Sequence, residues 1–234
     1  MSVVGAGFFS FTEVTRPDEH RAYNEWHMLD HMPEQYTLPG IVWGERWVST
    51  PACRAARAAS TPPLDAIHYV TLYLVAPPID ESLVDFFRLG QELREKDRFH
   101  QHREAHLTGA HDIVVQSAAE RVLVSPGSIP FRPHLGVHVR VDADVDEAWL
   151  TGDHVRDLVE VPGVAGVWVF RRRPGPSDSL YPDAPPYVTL AWLDGPPLFA
   201  AQAIAELPSE GAPVFEGPLE RVEVHQWNWF DAEV

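Results

Sequence analysis

Cysteine is nearly missing from this chain. The 234 residues contain one, Cys53, so no intramolecular disulfide is available and no thiolate zinc framework can be assembled. That usage fits a reducing compartment, and a cytoplasmic location is the expectation. Basic residues are also scarce: 18 Lys and Arg stand against 34 Asp and Glu, a formal net charge of −16. Nucleic acid and anionic membrane surfaces both require a basic footprint, so neither is expected as a partner. No basic segment precedes a long apolar run at the N-terminus, and no stretch approaches the roughly 20 apolar residues of a membrane span. The common nucleophile and nucleotide motifs are absent. There is no G-x-S-x-G, no P-loop and no complete G-x-G-x-x-G between a strand and a helix, since Gly5-Ala6-Gly7 lacks its third glycine. No nucleotide cofactor is therefore expected, and no other cofactor is expected apart from haem as an alternative.

What the chain does have is enough apolar material for a core, 45% of its residues, which excludes a disordered protein. It also has one chemically dense stretch. Tyr23–Glu34 (YNEWHMLDHMPE) places a Trp, two His, an Asp and two Glu in one predicted helix, which stops at Pro39-Gly40 before the apolar Ile41. An altered copy follows as Trp149, Asp153, His154 and Pro162-Gly163-Val164. The four offsets, 149−26, 153−30, 154−31 and 162−39, all equal 123. A second repeat, Tyr69–Val75 (YVTLYLV) and Tyr187–Asp194 (YVTLAWLD), has offset 118. The pattern reads as an internal duplication.

The order of elements agrees. Val3–Val14 reads as a strand rich in Phe, and Arg16–Glu34 as a helix opened by Pro17 and Asp18. Trp26 and Asp30, four apart, should share one face of it. Ile41–Ser49 is a strand and Thr50–Asp65 a loop; a strand over Ile67–Val75, a helix over Asp80–Phe99 and a strand over Asp112–Val124 follow. Ser125–Pro133 has linker composition. The order then recurs: a strand from Leu135, a helix over Val145–Glu160, a strand over Val164–Arg172, a loop over Pro174–Pro186, a strand over Tyr187–Asp194, a helix over Leu198–Leu207 and a strand over Leu219–Phe230. The expectation is an α+β fold of two tandem ferredoxin-like (β-α-β-β-α-β) units, residues 1–125 and 134–234 joined by the linker 126–133. The helices cover one face of each sheet, so the two bare faces pack sheet to sheet and close a barrel.

The pattern Trp26-x3-Asp30-His31-x-Pro33-Glu34, then Leu38-Pro39-Gly40-Ile41, resembles the helix-to-strand region of EthD-like and methylmuconolactone-isomerase-like members of the dimeric α+β barrel superfamily. The resemblance covers about Tyr23–Trp47. It implies a sheet-lined cavity and a cofactor-free isomerase, lyase, cyclase or monooxygenase acting on small, often aromatic or polyketide-derived compounds. It also admits haem-dependent members and members without known activity, because fold alone does not select function. The second copy departs from the pattern: Ala148, Arg156 and Asp157 stand where the first has Glu25, Pro33 and Glu34. A single working site would therefore lie in the first copy.

His31 is the candidate general acid/base, since an imidazole takes and returns protons near neutral pH. Asp30 and Glu34 are its candidate catalytic neighbours, and Trp26 and His27 line the same helix. His27/His31 and His102/His106 have the i, i+4 spacing of helical metal ligands, but no further motif completes a site and no metal is expected. If Val70, Leu72, Leu74, Val137, Val139 and Val141 pack on helices, then Tyr69, Thr71, Tyr73, His138, Arg140, Tyr187 and Thr189 face the other sheet. His225, Trp227 and Trp229 would join them from the last strand. The result would be an aromatic pocket inside the barrel. The expected partner is a small-molecule substrate, and the expected assembly is a monomer with an internal pseudo-dimer, or a homodimer. A non-catalytic or stress-related small-molecule-binding barrel and a haem-dependent enzyme are the alternatives.

Overall fold

A computed structural model of the chain describes residues 4–175 and 184–233. The strands are β1 (Ala6–Val14), β2 (Ile41–Val48), β3 (Ala59–Ser60), β4 (Tyr69–Val75), β5 (Arg103–Ala118), β6 (Gly136–Asp142), β7 (Val164–Arg172), β8 (Tyr187–Leu193) and β9 (Phe215–Arg221). Helix α1 runs from α-helical His20–Trp26 through a π-helical turn, His27–His31, into α-helical Met32–Gln35. Helices α2 (Pro51–Ala55) and α3 (Ile79–Glu95) complete the first half. In the second half α4 repeats the composite form, with Glu147–Trp149, a π-helical Leu150–His154 and Val155–Glu160, and α5 spans Pro197–Ile204.

Eight strands form an antiparallel barrel in the order β2-β4-β1-β5-β7-β8-β6-β9, and β9 returns to β2 through Trp47↔Arg221 and Val48↔Glu220. The short β3 adds to β9. Each half contributes four consecutive strands, β2-β4-β1-β5 and β7-β8-β6-β9. Counted within its own half, each set has the same order. Strand β5 joins the halves: its first part pairs with β1 and its last part with β7.

The structure reverses the expected faces. Val70, Leu72, Leu74, Val137, Val139 and Val141 do not pack on helices; they fill the barrel interior with Phe9, Phe11, Trp168, Phe170, Leu190 and Trp192. Trp168 and Trp192, both fully buried, stand with ring centroids 5.2 Å apart. The interior is filled by these buried apolar side chains. Their alternates Tyr69, Thr71, Tyr73, His138, Arg140, Tyr187 and Thr189 lie instead on the outer faces. The reversal has a simple cause. β4 and β6 are buried at every residue, so alternation separates two faces without saying which is inside.

Several boundaries also move. The last strand ends at Arg221, so His225, Trp227 and Trp229 share no strand face. His225 is exposed with φ 64°, and Trp227 is buried in an apolar cluster that also holds Tyr23, Tyr69 and Phe230. β5 begins at Arg103 rather than near Asp112, which places His106 on a strand and His102 in the turn before it. The His102/His106 pair therefore does not have helical ligand spacing. The expected 50–65 loop contains α2 and β3, and the 126–133 linker contains a 3-10 turn, Pro126–Phe131, whose Ile129 enters the barrel core. The expected 174–186 loop falls partly outside the described residues. Among the described residues, no helix is long and apolar enough to cross a membrane.

The two Pro-Gly stops serve different needs. Gly163 has φ 92°, a region that disfavours a side chain. At Gly40 a Cβ would lie 2.2 Å from the Ser82 hydroxyl, so that glycine allows α3 to approach closely.

Candidate active site

The π-turn in α1 decides how the motif residues meet. An ordinary α-helix turns residues five apart by about 140° relative to each other. The π-turn, in which the Met32 N–H donates to the His27 carbonyl, brings such residues onto one face. Trp26 and His31 therefore stack, with centroids 4.7 Å apart and planes at 25°. Trp149 and His154 repeat this at 4.6 Å and 24°. The sequence had paired Trp26 with Asp30 instead. Asp30 and Glu34 turn toward Arg98, which donates to both carboxylates, to Glu34 at 2.6 Å. The Arg98 carbonyl in turn accepts the Trp26 Nε1–H at 2.8 Å. The two acids thus reach His31 indirectly, through Arg98 and Trp26.

His31 lies on the wall of a cavity of about 990 Å³ between the outer face of the first-half sheet and helices α1 and α3. The floor is β1, β4 and β5, with Phe8, Ser10, Thr12, Thr71, Tyr73 and Thr108. Helix α1 contributes Tyr23, Trp26, His27, His31 and Gln35; Phe86, Phe87, Phe99 and Arg103 close other sides. The lining mixes aromatic rings with a larger number of polar and charged side chains, which gives a small molecule both stacking surface and hydrogen-bonding partners. It lies outside the barrel rather than within it.

Several of those polar groups have no partner. His31 Nδ1, Gln35 Oε1 and Thr71 Oγ1 are buried without a hydrogen bond. His27 is held at both ring nitrogens, Nδ1 by the Tyr23 hydroxyl and Nε2 by the Tyr73 hydroxyl, each at 3.3 Å. One of these contacts donates from the ring and the other accepts. Burial, reinforced by Arg103 and Arg46, lowers the His31 pKa to about 3. Burial also holds His27 well below its ordinary value and Tyr73 above its own. At neutral pH the imidazoles are neutral and the phenol is protonated, so the cavity offers a neutral base beside phenolic hydrogen-bond donors.

Arg46 is a residue that the sequence reading missed. It is 1% exposed on β2, and none of its three guanidinium nitrogens has a hydrogen bond. Its guanidinium lies over the rings of Tyr23 and Tyr69, 5.0 and 5.3 Å from the centroids. The available signal was a lone cation in the apolar strand IVWGERWV. Arg103, also missed, lies over Phe99 at 4.6 Å and Trp26 at 5.8 Å.

The remaining expected site residues are elsewhere. Tyr69 accepts from Asn24 at 2.9 Å and contacts His20 Nδ1 at 3.0 Å beneath α1. In the second half Arg140 binds Asp142 at 2.9 and 3.0 Å and Glu216 at 3.4 Å, and His138 contacts Glu216 at 3.4 Å. Tyr187 donates to Glu147. His154 is buried with neither ring nitrogen partnered. Donor atoms of Glu13, Glu104 and His106 come within 4.8 Å of one another and could hold a cation. Cys53 is buried, and that burial pushes its thiol up to about 11, which makes it a poor nucleophile.

No family model matches the chain, and no curated protein matches it in sequence. Solved structures do match in shape. A protein assigned as a chlorite dismutase superposes with TM-score 0.53 at 8% identity, over 99% of this chain and 100% of that one. A variant of the chlorite dismutase from Candidatus Nitrospira defluvii gives 0.51 at 9%, over 98% and 94%. An anthrone oxidase-like protein gives 0.49 at 10%, over 95% and 94%. At such identities the likeness is one of fold: the chain has the closed antiparallel barrel of the chlorite dismutase-like α+β barrels.

Proposed function

We propose that the chain is an enzyme that binds a small aromatic or polyketide-like substrate in the first-half cavity and moves a proton with His31, without a cofactor. The observation that carries this is the buried, neutral imidazole of His31, stacked on Trp26 at the wall of a 990 Å³ cavity. A neutral imidazole removes a proton adjacent to a carbonyl or lactone. The resulting enolate charge sits near Arg46 and Arg103 and raises the affinity of His31 for the proton it has taken. Return of that proton to a different carbon is isomerisation; expulsion of a leaving group is lyase chemistry; attack of the carbanion on a second carbonyl is cyclisation. Reaction of the carbanion with dioxygen would give cofactor-free oxygenation. Asp30 and Glu34 act as positioning residues through Arg98 and Trp26.

At a finer level, we take the chain to be two fused ferredoxin-like units of EthD-like kinship, a monomer with an internal pseudo-dimer. The repeated strand order, the paired π-turns and the two Trp-His stacks support this. The test of the chemistry is proton exchange in D2O, followed by NMR, on a panel of aromatic ketones and lactones. His31→Ala should lower exchange of an accepted compound by about 100-fold or more, the usual size of an acid/base contribution. Exchange within about twofold of the parent would sink the role of His31.

A haem-binding reading has one observation in its favour. His27 has both nitrogens engaged, so His31 is the imidazole on this cavity's wall that would hold the iron, and Arg94 and Arg103 would hold the propionates. Haem would supply redox chemistry toward oxygen species. A Soret shift on addition of haemin, lost in His31→Ala, would support it; no shift would exclude it.

A further inference from the structure

The two halves can be compared row by row across their outer faces. In the first half the strand register aligns Arg46, Thr71, Ser10 and Thr108. In the second it aligns Val169, Thr189, Arg140 and Glu216. Thr71 and Thr189 are matched by the YVTL repeat, so the rows correspond position for position. Each half carries one buried arginine in its row, on a different strand. Each arginine also lies over an aromatic ring of its covering helix, Arg46 over Tyr23 and Arg140 over Trp149.

What differs is the counter-charge. Arg140 is answered by Asp142 and Glu216, and also binds the Ser209 hydroxyl at 2.7 Å and the Glu210 carbonyl at 2.6 Å. The first half has Thr12 and Thr108 where those two carboxylates stand, and the Arg46 guanidinium forms no hydrogen bond or ion pair among the described residues. A buried cation without an anion is costly, and ring faces offset only part of that cost. Arg46 pairs in register with Thr71 behind the wall, Arg94 and Arg103 line the wall itself, and the cavity's two carboxylates, Glu95 and Glu104, are exposed. The row also includes Thr71, which is buried, lines the cavity and has no hydrogen-bond partner for its hydroxyl.

We propose that the missing anion is the ligand: the cavity takes an aromatic compound bearing an ionised acidic group, a carboxylate or acidic enol, seated at Thr71 and balanced by Arg46 and Arg103. This deepens the proposed function and rests on it for the identity of the cavity as the working site. The second half is then the same cradle closed by its own carboxylates.

The test compares 2-naphthoate with its neutral isostere 2-naphthamide, titrated calorimetrically into the full chain. Naphthoate should bind at least about tenfold more tightly. Arg46→Met should reduce that preference to less than about threefold. Thr108→Glu, which places a carboxylate where Glu216 stands in the second half, should do the same without removing a cation. His31→Ala should leave the preference intact. Equal binding of the two probes, failure of both to bind, or a preference unchanged in both Arg46→Met and Thr108→Glu would each overturn the proposal. A preference that survives alongside normal proton exchange in His31→Ala would instead overturn the catalytic reading and leave the anion site standing.

Discussion

Replacing Arg46 with Met should make the protein more stable. Removing a charged residue from a protein interior ordinarily does the opposite, because its partner is left uncompensated. Arg46 has no such partner. Among the described residues its guanidinium is buried without a hydrogen bond and is met by two aromatic faces at 5.0 and 5.3 Å. Desolvating a cation costs several kcal/mol after relaxation, and each ring face returns about 2 kcal/mol at best. Methionine retains most of the apolar stem and packs adaptably against Tyr23 and Tyr69. The net expectation is a gain of about 1–3 kcal/mol, with Tm rising by about 2–4 °C per kcal/mol for a chain of this size. Urea unfolding at neutral pH measures it, and Arg46→Lys, which keeps the charge, serves as control and should give no gain. A second readout is local: Arg46 is among the charges that lower the pKa of His31, so its removal should raise that pKa in an NMR titration. If Arg46→Met is less stable than the parent by more than about 1 kcal/mol, the residue has a compensating partner and the reasoning fails. Stability gained together with loss of ligand binding would be the trade-off expected of a functional group.

Other outcomes follow from burial and close packing. Burial lowers the pKa of His31 and His68 to about 3, and of His111 and His154 to about 4. The unfolded chain therefore binds more protons below about pH 6.5, so stability is full above that value and is lost as pH falls toward the folded pKa values. These four imidazoles alone, taking up about 0.9 proton each, give a slope of about 5 kcal/mol per pH unit near pH 5.5, and His20 and His27, also lowered by burial, steepen it; a measured slope equivalent to less than one proton would contradict their burial as neutral groups. Trp168→Ala should cost about 3–5 kcal/mol, since the ring is fully buried inside the barrel and its Nε1–H donates to the Pro126 carbonyl at 3.0 Å; a cost below about 1 kcal/mol would mean the interior is not packed. Gly40→Ala should destabilise by about 1–3 kcal/mol, because its Cβ would meet Ser82, whose hydroxyl is already donated to the Ala76 and Pro78 carbonyls; a neutral effect in thermal unfolding would show that α3 can shift.

The candidate site was legible in part. His31, Trp26 and His27 stood out because chemically capable residues were crowded into one helix, and all three line the cavity. Arg46 and Arg103 were not legible, because what makes them notable is which groups surround them after folding. The association of His31 with Asp30 and Glu34 was read from α-helical spacing; the π-turn changed that spacing, and Arg98, 64 residues from Glu34, drew the acids away.

The sequence by itself determined the order of the eight barrel strands and the four longer helices, the places where Pro-Gly follows a helix, and the repeat at offset 123. These depend on local backbone preference and on periodicity, which a chain carries before it folds. Tertiary structure alone decided which face of each strand lies inside. With apolar burial on both sides, the two assignments of a period-two pattern are equally consistent with the sequence, and the volume available inside an eight-stranded barrel selected between them. Val, Leu, Phe and Trp filled that space, and the polar alternates were left under the helices. There, between sheet and helix, lies the cavity with a neutral histidine on its wall, and beside it an arginine that no carboxylate balances among the described residues.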